Sequence, residues 1–162
     1  MNIGIIGAGS MGSGIAQVAA TAGEEVMVFD TNSVSLDKAS ASLTKIMNRL
    51  VEKERVTREE ADRILGRITF VDSLDYLESS ELVIEAIIEN LEIKQSVFSQ
   101  LEALVSDTCI IASNTSSLSI ASISSACNHP ERVIGIHFFN PAPLMPLVEI
   151  IPSICTSEEV KQ

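Results

Sequence analysis

The stretch GIIGAGSMGSG, residues 4–14, decides how the rest of the chain is read. Gly7, Gly9 and Gly12 stand in G-x-G-x-x-G spacing, directly after a predicted strand over Asn2–Ile6 and at the start of a predicted helix over Ser10–Ala22. Each glycine has a separate task in such a turn. Gly7 permits the tight reversal, Gly9 lets backbone approach a pyrophosphate, and Gly12 lets the helix lie close on the strand. The unpaired N–H groups and partial positive charge of the helix start then face the phosphates. Asp30 closes a second predicted strand, Glu25–Phe29, where a carboxylate can accept hydrogen bonds from the ribose hydroxyls of adenosine. No Arg or Lys occurs between Asp30 and Lys38, so a 2′-phosphate would meet an anion with no adjacent cation. NAD is therefore expected rather than NADP.

Outward from this turn, short Ile/Val-rich runs alternate with helical patterns. Further strands are expected over Arg67–Val71, Leu82–Ala86, Cys109–Ser113, Arg132–Phe138 and Leu147–Ile151. Further helices are expected over Ser35–Glu54, Arg58–Leu65, Leu91–Val105 and Ile120–Cys127. Thr57 with Glu60 has the spacing of a capping box, and Asn90 can cap the helix that follows it. Strands that read as continuous apolar runs are covered on both faces. The expected fold is α/β, a Rossmann-like, doubly wound and mostly parallel sheet with helices on both faces. At 162 residues the chain makes one domain, 1–162. Its end reads as unfinished: Thr156-Ser-Glu-Glu has the form of a new capping box, yet Gln162 follows within two turns, as in the front part of a longer protein.

Composition limits the partners. The net charge is −11, which argues against nucleic acid, because phosphate contacts need clustered cations. No apolar run reaches the roughly 20 residues that span a bilayer, and the start MNIGIIGAG lacks a basic leader, so a soluble cytoplasmic protein is expected. Cys109, Cys127 and Cys155 lie far apart beside apolar runs, as buried free thiols do, and no metal site is expected. Eight of the 11 basic residues fall between Lys38 and Arg67. Among them Lys45, Arg49 and Lys53 follow at i, i+4 spacing and share a face on a helix, either a solvated surface or an anion-binding stripe.

Three more stretches bear on chemistry: IEAIIENLEIK (84–94), SNTSSLSI (113–120) and HFFNPAP (137–143) with LVEI (147–150) beyond it. Together with GAGSMGSGIA (7–16) they resemble the NAD-dependent 3-hydroxyacyl-CoA dehydrogenases, including the bacterial 3-hydroxybutyryl-CoA dehydrogenases. The resemblance runs from residue 2 to about residue 151. It implies that the histidine of HFFNP, His137, is the general acid/base and that Glu149 of LVEI pairs with it. It implies that Ser116 of SNTSS contacts the substrate near the nicotinamide. Ser10, Met11, Ala86, Glu89, Lys94 and Asn140 fall on the cofactor side. Lys53 approximates a lysine that contacts CoA. The family oxidises the C3 hydroxyl of 3-hydroxyacyl-CoA to the 3-oxo compound in fatty acid or butanoate metabolism. Its members carry a helical second domain that covers the acyl-CoA and makes a homodimer, and an asparagine beside the histidine belongs to that part.

The residue types fit such chemistry on their own terms. Removing a hydroxyl proton while hydride leaves the same carbon suits an imidazole, whose ordinary pKa lies near neutrality. A carboxylate beside it fixes the tautomer and stabilises the imidazolium. Glu149 interrupts the apolar run LMPLVEII, and an ionised group buried there needs a partner. Ser116 can orient the reacting oxygen. Other readings of the same residues are structural. His137 can be a core histidine, Ser116 a cap for the helix starting near Ser119, Glu149 a solvated edge residue, and Glu89 with Lys94 an ordinary helix entry. His129, in the turn NHPERV, is expected to play no part. Pro146 replaces a lysine common in the family, and Pro152-Ser-Ile-Cys replaces a segment where glycine is usual. An NAD-binding module without turnover, a structural relative that keeps only the fold, and a related dehydrogenase acting on a non-CoA hydroxy acid are the competing readings.

Overall fold

The computed structural model describes residues 1–162. Its elements run β1 (Asn2–Ile6), α1 (Ser10–Ala22), β2 (Glu25–Phe29), α2 (Ser33–Glu52), α3 (Arg58–Gly66), β3 (Ile68–Val71), β4 (Leu82–Glu85), α4 (Leu91–Leu104), β5 (Ile110–Ser113), α5 (Ile120–Ser124), β6 (Val133–Phe138), β7 (Val148–Pro152) and α6 (Glu158–Lys161). Three 3-10 turns, not foreseen from the sequence, lie at Leu74–Leu77, Pro130–Arg132 and Ala142–Leu144. No helix is long and apolar enough to cross a membrane.

The strands form one sheet in the order β3-β2-β1-β4-β5-β6-β7. Every pairing from β3 to β6 is parallel, and β7 lies antiparallel to β6. Alternation along the strands divides the core in two. Ile3, Ile5, Val26, Val28, Ile84, Ala112 and Ile134 face the side covered by α1, α2 and α3. Ile6, Val83, Ile111 and Val133 face the side packed with Phe98 and Leu101 of α4 and Ile123 of α5. The order reverses between β1 and β4, where an open α/β sheet leaves a crevice beyond its strand ends. The reversal at β7 has a local cause. Only Phe139 to Leu147 join it to β6, too few residues for the crossover that a parallel neighbour requires.

Several expectations need correction. Helix α2 starts two residues early, because the Asn32 side chain accepts the N–H groups of Val34 and Ser35. It ends at Glu52, so Lys53 is its exposed C-cap residue, and the Lys53 N–H still donates to the Arg49 carbonyl one turn back. The cap of α6 is Ser157, not Thr156, whose hydroxyl is buried and donates to the Val133 carbonyl at 2.7 Å. All of β7 is exposed, so Glu149 does not sit in a buried apolar run. Of the cysteines only Cys109 is buried, while Cys127 is half-buried and Cys155 exposed. Burial pushes the Cys109 and Cys127 thiols up to about 11, which keeps them protonated and unreactive near neutral pH.

Candidate active site

The first glycine turn bends sharply between β1 and α1. Gly7 has φ 107°, and a Cβ there would meet the Ala86 carbonyl oxygen at 2.6 Å. A Cβ on Gly12 would lie 1.8 Å from the Gly7 carbonyl oxygen. Both positions therefore exclude any side chain. Gly9 differs, since its φ of −72° suits any residue and a Cβ would meet nothing within 4 Å. Nothing inside the protein demands glycine at that position. The free space points outward, as it would where a ligand must reach the backbone. Asp30 follows β2 directly and ties the turn in place. One of its oxygens accepts the Ala8 N–H at 2.8 Å and the other accepts the Asn32 N–H at 2.9 Å. Each oxygen keeps a further lone pair for a hydroxyl donor.

Two clefts adjoin at the sheet's reversal. The first, about 630 Å³, is lined by Gly7, Gly9, Ser10, Met11, Asp30 and Ala86 among others. The second, about 310 Å³, is lined by Met11, Ala86, Glu89, Lys94, Asn114, Ser116, His137 and Asn140 among others. Met11, Ala86 and Ile87 border both. A two-part ligand laid across the glycine turn would place one end beside Asp30 and the other beside His137.

Beneath the second cleft lies a buried charged cluster. Glu85, at the end of β4, is fully buried, and Lys94 on α4 is 1% exposed. The Lys94 ammonium lies 2.5 Å from Glu85 Oε1 and 3.2 Å from Glu89 Oε2. Glu85 also accepts the Ser113 hydroxyl at 2.7 Å and the Ile87 N–H at 2.8 Å. Glu89 in turn holds the serine loop, accepting from Thr115 Oγ1 at 2.7 Å, the Ser116 N–H at 2.9 Å and Ser116 Oγ at 3.3 Å. Burial raises the Glu89 pKa, but the Thr115 hydroxyl, the Ser116 N–H and the Lys94 charge outweigh it and hold the group below its ordinary value. Glu89 is therefore a carboxylate near neutral pH, and its negative charge orients Ser116.

The other wall comes from β6 and β7. His137 and Glu149 stand directly opposite in the antiparallel register, so their side chains share a face of the sheet. Their separation is 2.8 Å from Nδ1 to Oε2. A carboxylate anion only accepts, so a neutral imidazole making this bond carries its proton on Nδ1 and keeps the lone pair on Nε2. The side chain of His137 is 17% exposed and tilts against the Phe139 ring at 4.8 Å. Glu149 is 48% exposed, so register rather than burial brings it to the imidazole.

Most residues singled out from the sequence meet here. Gly7, Gly9, Ser10, Met11 and Asp30 line the first cleft, Gly12 lies buried in α1 and lines neither, and Ala86, Glu89, Lys94, Ser116, His137 and Asn140 line the second. Ser116 is not a helix cap, since Ser119 caps α5. Lys53 borders neither cleft. Sequence reasoning passed over Glu85 and Asn114. Glu85 carried a signal, an acid in an otherwise apolar strand, and Asn114 stands in the quoted SNTSS stretch, where only Ser116 was given a role.

The model of the NAD binding domain of 3-hydroxyacyl-CoA dehydrogenases matches residues 2–162. A 3-hydroxybutyryl-CoA dehydrogenase of Mycobacterium tuberculosis is 43% identical over 157 residues, which cover 96% of this chain and 55% of that protein. The crystal structure of a 3-hydroxybutyryl-CoA dehydrogenase from Escherichia coli superposes with a TM-score of 0.97 at 39% identity, covering 99% of this chain and 34% of that one. The corresponding enzyme of Ralstonia eutropha gives 0.95 at 40% identity, covering 98% and 56%. The chain spans about half the length of most of the relatives it matches, and a third of the Escherichia coli chain.

Proposed function

Since this chain belongs to the 3-hydroxyacyl-CoA dehydrogenase family and its cofactor is NAD, we propose that it supplies the cofactor half of an enzyme that oxidises a 3-hydroxyacyl-CoA to the 3-oxoacyl-CoA. In this reading residues 1–162 are the NAD-binding domain, and sequence equivalent to the rest of the relatives completes the site and the homodimer. The setting is the cytoplasm, in fatty acid or butanoate metabolism. One observation carries the reading: an imidazole, tied through Nδ1 to a carboxylate, borders the cleft that continues from the glycine turn.

The proposed roles follow from the geometry. NAD, when bound, supplies the hydride acceptor at its nicotinamide ring. Gly9 and the start of α1 take the pyrophosphate, and Asp30 takes the adenosine ribose. His137 Nε2 receives the proton of the substrate hydroxyl, and Glu149 stabilises the imidazolium that results. The Ser116 hydroxyl, held only loosely by Glu89 at 3.3 Å, can turn its hydrogen to the reacting oxygen. Glu89, Lys94 and Asn140 shape the nicotinamide end. Lys53 is left as an exposed cation for CoA at a distance from the chemistry.

NADH formation with 3-hydroxybutyryl-CoA tests this reading. Residues 1–162 alone are expected to bind NAD and to turn over weakly, and a chimera carrying the C-terminal half of the M. tuberculosis relative is expected to turn over robustly. A chimera active only on free hydroxy acids would defeat the acyl-CoA assignment. Full-rate turnover by residues 1–162 would defeat the need for a second half.

The glycine turn gives a sharper expectation. Gly9→Ala keeps an allowed backbone and open space, so the melting temperature changes by no more than about 4 °C. NAD affinity, read by calorimetric titration, falls by about tenfold or more, ~1.4 kcal/mol. Unchanged affinity would mean that no ligand approaches the Gly9 backbone.

A further inference from the structure

We propose that Asn114 is a positioning residue for His137, acting through the backbone of Phe138. The proposal rests on the reading of His137 as the proton carrier. The parallel ladder between β5 and β6 ends at Ser113 and Gly135. β6 nevertheless continues for three residues, Ile136, His137 and Phe138, without a strand on that side. N–H groups point to alternate edges along a strand, and one left unpaired in a half-buried setting carries an uncompensated desolvation cost. The Asn114 side chain removes that cost: its Oδ1 accepts the Phe138 N–H at 2.8 Å. Because Phe138 offers a donor, the amide oxygen must be the atom facing it.

Asn114 is itself anchored on its other side. Its own N–H donates to the Glu85 carbonyl at 2.8 Å, which extends the β4–β5 ladder by one residue. The next residue, Thr115, donates its hydroxyl to Glu89. The short Asn114 side chain thus joins the Glu85–Glu89 wall of the cleft to the overhanging end of β6. On the far side of that overhang the only strand is β7, an exposed edge. The Asn114 bond adds to the pairing with β7 and to the packing of Ile136 and Phe138 on the core, which otherwise hold the His137 segment. A displacement of about 1 Å at a reacting group can cost about a hundredfold in rate, so the bond bears directly on the chemistry.

Nitrogen NMR of the two histidine side chains in residues 1–162 tests this. The wild-type His137 ring is expected to hold its proton on Nδ1, bonded to Glu149. In Asn114→Leu, which fills similar space without an acceptor, that tautomer gives way to a mixture of both. In Asn114→Asp, which keeps an acceptor, it is restored. His129, exposed and paired with Glu131, serves as the internal control and does not change. In the chimera, Asn114→Leu is expected to lower kcat by about tenfold with less than about a twofold change in the KM for NAD. An unaltered His137 tautomer in Asn114→Leu overturns the proposal while leaving His137 as the proton carrier. A wild-type ring without the Nδ1 proton overturns the His137–Glu149 reading itself. A measurement on the wild type needs no variant: a scalar coupling across the hydrogen bond from the Phe138 amide nitrogen to the Asn114 side-chain carbonyl carbon is expected, and its absence overturns the proposal.

Discussion

Lys94→Met is expected to destabilise the chain by about 3–5 kcal/mol, which for this length lowers the melting temperature by about 6–20 °C. The reason is the company the ammonium keeps. Lys94 is 1% exposed and Glu85 fully buried, so neither charge has water to fall back on. Glu85 would retain the Ser113 hydroxyl and the Ile87 N–H but lose its counter-charge. A second carboxylate, Glu89, would lose the same cation. Methionine replaces the volume of the lysine stem, so a packing defect contributes little. Adding Glu85→Gln to Lys94→Met removes the stranded charge and keeps an acceptor for Ser113, and it should recover most of the loss. Urea or thermal unfolding of the two single variants and the double variant separates charge from packing. A Lys94→Met protein within about 1 kcal/mol of the wild type would show that the ammonium is not needed to bury Glu85.

This cluster marks a boundary of what the sequence discloses. Local patterns gave the sheet and its first cleft, because the glycine turn, the apolar strands and the Thr57–Glu60 capping box each act within a few residues. β1, α1 and β2 have the expected bounds for that reason. Errors came where two local candidates competed. Asn32 and Ser35 could both begin α2, and Thr156 and Ser157 could both begin α6. At α6 a tertiary contact decides: the Thr156 hydroxyl is drawn to the Val133 carbonyl and is lost as a cap. Glu149 followed from the resemblance, while the supporting argument from a buried run fails, since it lies on an exposed edge. Its pairing with His137 is a consequence of register, which the short Pro-rich link sets. The bonds of Asn114 to Phe138 and of Ser113 to Glu85 span 24 and 28 residues. No periodicity or spacing carries information over such a distance, so Asn114 could be found only once the strands were in place.

His137→Gln carries the largest expected effect on activity. In the chimera, kcat with 3-hydroxybutyryl-CoA should fall by about 10²–10⁴-fold, the range that a positioned general base contributes. NAD affinity should stay within about threefold, because the proposed places of the phosphates and ribose, at the glycine turn and Asp30, border a different cleft from this imidazole. Glu149→Gln tests the partner. A neutral amide can still accept the Nδ1 proton, but it cannot offset the charge that His137 acquires, so a smaller loss is expected. The double variant decides whether the two act as one device. If Glu149 works only through the imidazole, His137→Gln/Glu149→Gln is no slower than His137→Gln alone, and the two effects are strongly non-additive. Losses that simply multiply would place Glu149 in a separate role, such as fixing the β6–β7 edge. A His137→Gln enzyme that keeps wild-type kcat would remove the proton carrier from the mechanism, and Nδ1 at 2.8 Å from Glu149 would then be only a strand-to-strand tether.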